Sequence, residues 1–322
     1  MAEDVTANTF PVYIGYNYPG YAQPFLGLID EVRIWSSALT ASQLDDMTPP
    51  VITITTPDNG ATYLLNQIVN ADWSASDGTG TGVRSKDGTV PSGLPINTAT
   101  VGSKDFTVTA TDYAMNTDSK TVTYNVVDTT PPVITLLGVT PVTIEVGSVY
   151  VDAGATALDN YDGVITGSIV TVNPVNTAVV GIYTVTYNVT DAALNPAVQV
   201  TRTVNVVYKF GGILPPINSD GSSIFKLGST VPVKFQLTDA DGNFVTNAVA
   251  TIWVKKLSNG VLPGEMEAVS TSAATTGNLF RYDSTSNQYI FNLATKLLSK
   301  GNWRITIDLG DGTLNYVNIN LK

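Results

Sequence analysis

The chain has 322 residues, 43% of them hydrophobic, and a formal net charge of −11 at pH 7. It contains no Cys and no His, which excludes disulfides, thiolate or imidazole metal sites, and every His-dependent nucleophile or general base. The acidic balance argues against a nucleic-acid partner or an anionic membrane surface, and no apolar run reaches the ~18 residues that insertion as a spanning helix needs. The acids themselves are lopsided, 22 Asp against five Glu. Asp favours turns, caps and oxygen-rich cation loops over helix interiors. Length alone predicts two to four domains.

Residues 1–47 are too few for a complete domain. Val12-Tyr-Ile-Gly-Tyr-Asn and Phe25-Leu-Gly-Leu-Ile-Asp-Glu-Val-Arg-Ile-Trp35 read as two strands joined by a Pro/Gly/Tyr loop. Thr40-Ala-Ser-Gln43 is a capping-box pattern that starts one short helical turn. Two strands are marginal alone in water, so this segment docks on a neighbour or ends a larger sheet. Met1-Ala-Glu-Asp lacks the basic and apolar parts of a signal peptide. If the protein is secreted or displayed at the cell surface, its export signal is expected to lie outside this chain.

Thr48-Pro-Pro-Val-Ile-Thr-Ile then returns, further along the chain, as Thr130-Pro-Pro-Val-Ile-Thr-Leu. A restart at fixed period marks a string of similar small domains. Pro-Pro removes two donors and holds the chain extended, which makes the joints short and stiff. In residues 48–128, Phe106-Thr-Val-Thr-Ala-Thr and Thr121-Val-Thr-Tyr-Asn-Val alternate at period two around the turn Asp112-Tyr-Ala-Met-Asn116. Residues 129–207 repeat that ending: Tyr183-Thr-Val-Thr-Tyr-Asn-Val-Thr, the turn Asp191-Ala-Ala-Leu-Asn195, then Val204-Asn-Val-Val. The short Asp and Asn side chains can bond the turn backbone in both.

Residues 208–322 are longer and differ in detail. Trp303-Arg-Ile-Thr-Ile-Asp-Leu, the turn Gly310-Asp-Gly and Val317-Asn-Ile-Asn-Leu make a terminal hairpin. Residues 257–278, rich in Ser, Thr, Gly and Ala, read as a mobile loop insertion, and Asp239-Ala-Asp-Gly-Asn243 reads as a hairpin turn. Many short strands with regular turns and no long helix predict an all-β fold, tandem Ig-like β-sandwiches in a row behind a partial jelly-roll segment.

Three resemblances sharpen this reading. Tyr13-Ile-Gly, the run from Phe25 to Trp35 and Ala38-Leu-Thr-Ala-Ser-Gln-Leu resemble the last strands of a laminin G-like (concanavalin A-like) jelly roll. Glu145-Val-Gly-Ser-Val-Tyr-Val-Asp-Ala-Gly-Ala and Asp159-Asn-Tyr-Asp-Gly-Val-Ile-Thr make 129–207 similar to the Ig-like domain of pesticidal crystal proteins, and 48–128 resembles bacterial Ig-like repeats more loosely. Tyr208-Lys-Phe-Gly-Gly-Ile-Leu-Pro-Pro-Ile with Val231-Pro-Val-Lys-Phe235 resembles the PxKF domain, a C-terminal module of secreted bacterial proteins. The resemblances imply four segments, 1–47, 48–128, 129–207 and 208–322.

Candidate chemistry is sparse. Asp159, Asn160 and Asp162, with Asp152 near in sequence, offer the hard oxygens that Ca2+ takes, and Asp128 in the linker could close such a site, an arrangement that resembles calcium-stiffened adhesins. The alternative is an Asp/Asn/Gly turn with solvated carboxylates, since Val170 stands where an EF-hand loop from Asp159 needs its Glu. Tyr16, Tyr18, Tyr21 and Trp35 could stack on a carbohydrate ring or cover an open sheet face. Paired carboxylates could run glycoside hydrolysis without His, yet none of the five Glu sits in a cleft-forming pattern.

The resulting expectation is a non-enzymatic stalk segment of a bacterial or archaeal surface protein, with ~30–40 Å of reach per unit. Its expected partners are other domains of the same protein, identical chains added at open sheet edges in a fibre, and glycans; nucleic acid and membrane insertion are not among them. The rival reading is a carbohydrate-binding accessory module.

Overall fold

The alternation read from the sequence is realised in mainly antiparallel sheet. The computed structural model describes residues 46–257 and 264–322. The two strands, the capping-box turn and the four aromatic residues expected within 1–45 lie outside them. Among the described residues the only helical pieces are two 3-10 turns, Thr166–Ser168 and Thr295–Leu297. The chain divides into two compact units, Met1–Val126 and Val127–Lys322.

In the first unit, Val51–Thr56 pairs with Asp72–Ser76, and a four-stranded sheet runs in the order Thr62–Leu64, Thr117–Val127, Gly102–Asp112, Val83–Gly88. The two long central strands are in register from Gly102 opposite Val126 to Thr111 opposite Thr117. Period-two alternation sends Phe106, Val108 and Ala110 of one strand, and Val122, Tyr124 and Val126 of the other, to the same buried face. Ile52 and Trp73 close that core from the smaller sheet. The threonines between them face outward, and Thr107 and Thr121 bond each other at 2.8 Å across the strands.

The second unit holds two sandwiches. The first sets Gly163–Val164, Ala155–Asp159 and Val133–Leu136 against a sheet ordered Val170–Val172, Gly181–Asn188, Val200–Val207, Val142–Glu145. Val142–Glu145 runs parallel to Val200–Val207, with Val142 opposite Val204. The second opposes Lys209–Ile213, Thr230–Thr238, Gln288–Ala294 and Arg281–Asp283 to a five-stranded sheet ordered Ile224–Phe225, Leu314–Leu321, Gly301–Asp308, Thr251–Lys256, Met266–Glu267. Its core is the more aromatic: Phe235 stacks on Tyr289 at 5.1 Å and meets Phe280 edge-on at 4.8 Å. The motif residues Val231, Val233 and Phe235 point inward, and Pro232 and Lys234 take the opposite parity.

Residues 264–278 carry more regular structure than a loop insertion would. Met266–Glu267 adds an edge strand, Glu267 opposite Trp253 and Met266 opposite Val254. Ala268 is buried in the core, and Glu265 accepts the buried Thr306 hydroxyl at 2.6 Å. A two-residue strand falls below the length at which alternation is legible. The hairpin turn expected at Asp239-Ala-Asp-Gly-Asn243 is present, with a bridge between Thr238 and Phe244.

Because each core is filled from its own strands, damage to one unit should stay local. Phe106→Ala should cost about 3–5 kcal/mol. Hydrogen exchange read by mass spectrometry should show lost protection in peptides from 51–126 and unchanged protection in those from 127–322.

Candidate metal centre

The repeat places three aspartates at one end of a sandwich, twice. The first comes from the chain just before Pro-Pro (Asp46 and Asp128). The second stands at the end of a strand of the smaller sheet: Asp77 follows Asp72–Ser76, and Asp159 closes Ala155–Asp159. The third heads the five-residue turn after a long strand: Asp112 ends Gly102–Asp112, and Asp191 follows Gly181–Asn188. One carboxylate oxygen from each member lies within 4.8 Å of those of its two partners, in both groups.

The turn itself explains the third position. Asn116 donates its backbone N–H to Asp112 Oδ1 and its Nδ2–H to Asp112 Oδ2, both at 2.8 Å, and Nδ2 also reaches the Asp46 carbonyl at 3.1 Å. Asn195 repeats all three bonds on Asp191 and the Asp128 carbonyl, at 2.7, 2.8 and 3.2 Å. The residue before each Asn is left-handed, Met115 at φ 72° and Leu194 at φ 71°. That conformation costs an L-residue roughly 1–2 kcal/mol. The Asn bonds hold the turn in place against this cost, tying the incoming chain to the carboxylate.

The two groups differ in exposure. In the first unit Asp112 is buried and Asp46 and Asp77 are half-buried; in the second, Asp128, Asp159 and Asp191 are 6%, 4% and 5% exposed. Asp159 Oδ1 accepts the Tyr161 and Asp162 backbone N–H groups, at 2.8 and 2.9 Å, whereas its buried Oδ2 has no hydrogen-bond partner. Among the described residues the ion pairs are Arg202–Asp152 and Lys209–Glu145, so neither group is matched to a basic side chain. Two charges at the 4.8 Å limit of the cluster repel by about 3 kcal/mol at an effective dielectric of about 20. A hard divalent cation with oxygen ligands is the group that fits such a donor set.

The five positions expected to hold a cation separate. Asp128 and Asp159 are brought together, and Asp191, read from sequence only as a turn residue, completes them. Asn160 is exposed. Asp162 caps the Ala192 N–H at 2.7 Å. Asp152 is engaged elsewhere. Its carboxylate pairs with Arg202 Nη1 at 3.2 Å and accepts the Tyr150 and Tyr187 hydroxyls at 2.9 and 2.6 Å. Arg202 is 1% exposed and also donates to the Leu137 and Gly154 carbonyls. These bonds leave Asp152 anchoring a buried arginine, apart from the three-carboxylate group.

Burial alone would raise the Asp152 carboxyl. The Tyr187 and Tyr150 hydroxyls and the Arg202 charge outweigh it and hold the group below its ordinary value. Burial and the Asp152 carboxylate push the Tyr187 hydroxyl up. In the first unit, Asp46 is lowered to about 2, first by the Thr81 backbone N–H and then by the Thr48 hydroxyl.

The class this architecture defines is an all-β chain of Ig-like sandwiches. Residues 134–206 match the family model described as the Ig-like domain of bacterial surface proteins, and residues 1–45 match that of the concanavalin A-like lectin/glucanase superfamily. Over 138 residues, 38% of this chain, the sequence is 30% identical to the serine-rich adhesin for platelets of Staphylococcus aureus strain MRSA252, covering 10% of that protein. The same adhesin from strain USA300 matches at 30% over 138 residues, 6% of its length. The chain thus spans a tenth or less of the curated relatives it matches. Among solved structures, the protocadherin GammaB4 extracellular domain matches at TM-score 0.26 and 14% identity, over 85% of this chain and 51% of that one.

Asp152→Asn should destabilise the second unit by about 3–5 kcal/mol in urea, because it leaves Arg202 buried without its counter-charge. The wild-type contribution is present above the ordinary Asp value of 3.8 and is lost as pH falls through the depressed folded value. Stability of Asp152→Asn should therefore fall less steeply than wild type as pH drops below about 4.

Proposed function

We propose that this chain is a non-enzymatic structural segment of a bacterial surface or secreted protein, a stalk whose second sandwich is locked by calcium where the linker enters it. The observation that carries the reading is the convergence of Asp128, Asp159 and Asp191, all buried, with one oxygen unpartnered. A bound ion would join the incoming linker, the smaller sheet and the turn after Gly181–Asn188, fixing where the chain enters its domain. The likeness of residues 134–206 to Ig-like domains of surface proteins, and the partial identity to a staphylococcal adhesin, support a surface location and a structural or adhesive role. The resemblance of Val231-Pro-Val-Lys-Phe235 to PxKF modules supports secretion.

A second reading rests on the match of residues 1–45 to the lectin/glucanase superfamily. Under it, Tyr16, Tyr18, Tyr21 and Trp35 belong to a glycan-binding part and the sandwiches serve as its support. Quenching of aromatic fluorescence by a polysaccharide panel, lost in Trp35→Ala, distinguishes it from a stalk alone.

Thermal melts of the full chain in EGTA and in millimolar calcium test the principal reading. At a calcium concentration 100-fold above the dissociation constant, ligand linkage supplies about 2.7 kcal/mol, roughly 5–10 °C for a unit of this size. Wild type should show that upward shift and Asp159→Asn should not. Equal melts in both solutions would remove calcium from the account.

A further inference from the structure

The two carboxylate groups are related by the repeat but are not equivalent, and the difference extends the calcium reading, on which it rests. Asp46 and Asp128, like Asp77 and Asp159, are separated by the same stretch of sequence as Thr48 and Thr130 of the two Thr-Pro-Pro phrases. By that spacing Thr81 corresponds to Gly163, so the first loop carries a hydroxyl where the second carries only backbone.

That hydroxyl and its neighbours fill the first group. Thr81, 8% exposed, donates its backbone N–H to Asp46 Oδ2 at 2.8 Å and its Oγ1–H to the same oxygen at 3.1 Å. The Gly82 N–H reaches Asp77 Oδ2 at 2.6 Å. Thr48 covers Asp46 Oδ1 through its N–H at 3.1 Å and its hydroxyl at 2.8 Å. The loop backbone occupies the remaining space: a Cβ on Gly80 would lie 2.5 Å from Asp77 Oδ2 and 2.6 Å from Asp46 Oδ2. Hydrogens therefore point at the oxygens a cation would need, and Asp46 and Asp77 are only half-buried.

The second group is less fully capped: the Thr130 N–H covers Asp128 Oδ1 at 3.0 Å, and no hydroxyl stands at the position of Thr81. Its carboxylates are all buried, the Tyr161 and Asp162 amides turn to Asp159 Oδ1, and Oδ2 of the same residue is left without a donor. Calcium takes six to eight oxygen ligands and tolerates irregular sets, so lone pairs that point inward make its site and N–H groups that point inward do not.

We infer that Thr81 closes the first group to cations, so that of the two repeat-related groups only Asp128, Asp159 and Asp191 bind a divalent ion of the calcium type. Calcium titration calorimetry on the full 322-residue chain tests this. Wild type should bind an ion that Asp128→Asn abolishes and Asp46→Asn leaves untouched, and Thr81→Gly should gain a second binding event. Loss of an ion in Asp46→Asn would overturn the inference while leaving calcium binding standing. A wild type that binds nothing would instead remove the metal reading itself. A Thr81→Gly chain that melts cooperatively yet gains no event would strip Thr81 of the role; if that variant fails to fold, the contrast between Asp46→Asn and Asp128→Asn decides alone.

Discussion

Three carboxylates share a buried volume at one end of the second sandwich, and the rest of that domain is arranged around the problem this creates. Removing one ionised carboxylate from water costs several kcal/mol even after relaxation, and neighbours of the same sign add to the cost. A sandwich tolerates such a group only with a counter-charge. Asp128, Asp159 and Asp191 arrive from three separate stretches of chain, so whatever compensates them also ties the linker to both sheets. The Asn195 turn serves the same end, bonding the Asp128 carbonyl and the Asp191 carboxylate with one side-chain amide. Charge repulsion and chain connection are thus two aspects of one geometry.

The same domain handles its other buried charge differently. Arg202 lies in the core face of Val200–Val207, between Val200 and Val204 at the same parity, and finds its counter-ion in Asp152. Its guanidinium also binds the Leu137 and Gly154 carbonyls, so it fastens loop backbone to sheet. A neutral replacement of similar volume could leave such a domain as stable, since buried pairs offset their desolvation only with good geometry. What the pair supplies is a fixed tie from the strand to the backbone at Leu137 and Gly154. One buried charge is met with protein atoms, whereas the three-carboxylate cluster has no basic side chain beside it among the described residues.

Much of this was legible in the residues. Alternation in Phe106-Thr-Val-Thr-Ala-Thr and Tyr183-Thr-Val-Thr-Tyr-Asn-Val-Thr marks strands with one face buried, and the structure buries Phe106, Val108, Val185 and Tyr187 accordingly. The three-carboxylate group was only half legible. Asp128 and Asp159 stand out by composition, but Asp152 lies close in sequence and far in role, because strand geometry rather than chain proximity decides which side chains meet. Two signals in the sequence point to the observed grouping. Asp46/Asp128 and Asp77/Asp159 recur at the period of the Thr-Pro-Pro phrase and Asp112/Asp191 at a slightly shorter one, a three-part repeat that singles out Asp191 and passes over Asp152. Arg202 falls at an inward parity among valines, where a charge must be paired, and that pairing claims a nearby acid. The short strand at Met266–Glu267 left no comparable trace.

The account depends on an ion being held by the second sandwich at the named oxygens. Residue-resolved amide hydrogen exchange with and without calcium tests that most directly, because the Thr130, Tyr161, Asp162 and Asn195 amides each donate to one of the three carboxylates. The account predicts that calcium slows exchange at these four amides, with much smaller changes at Thr81 and Asn116 of the first unit. Exchange rates at the four that do not respond to calcium, or an equal response in both units, would contradict it.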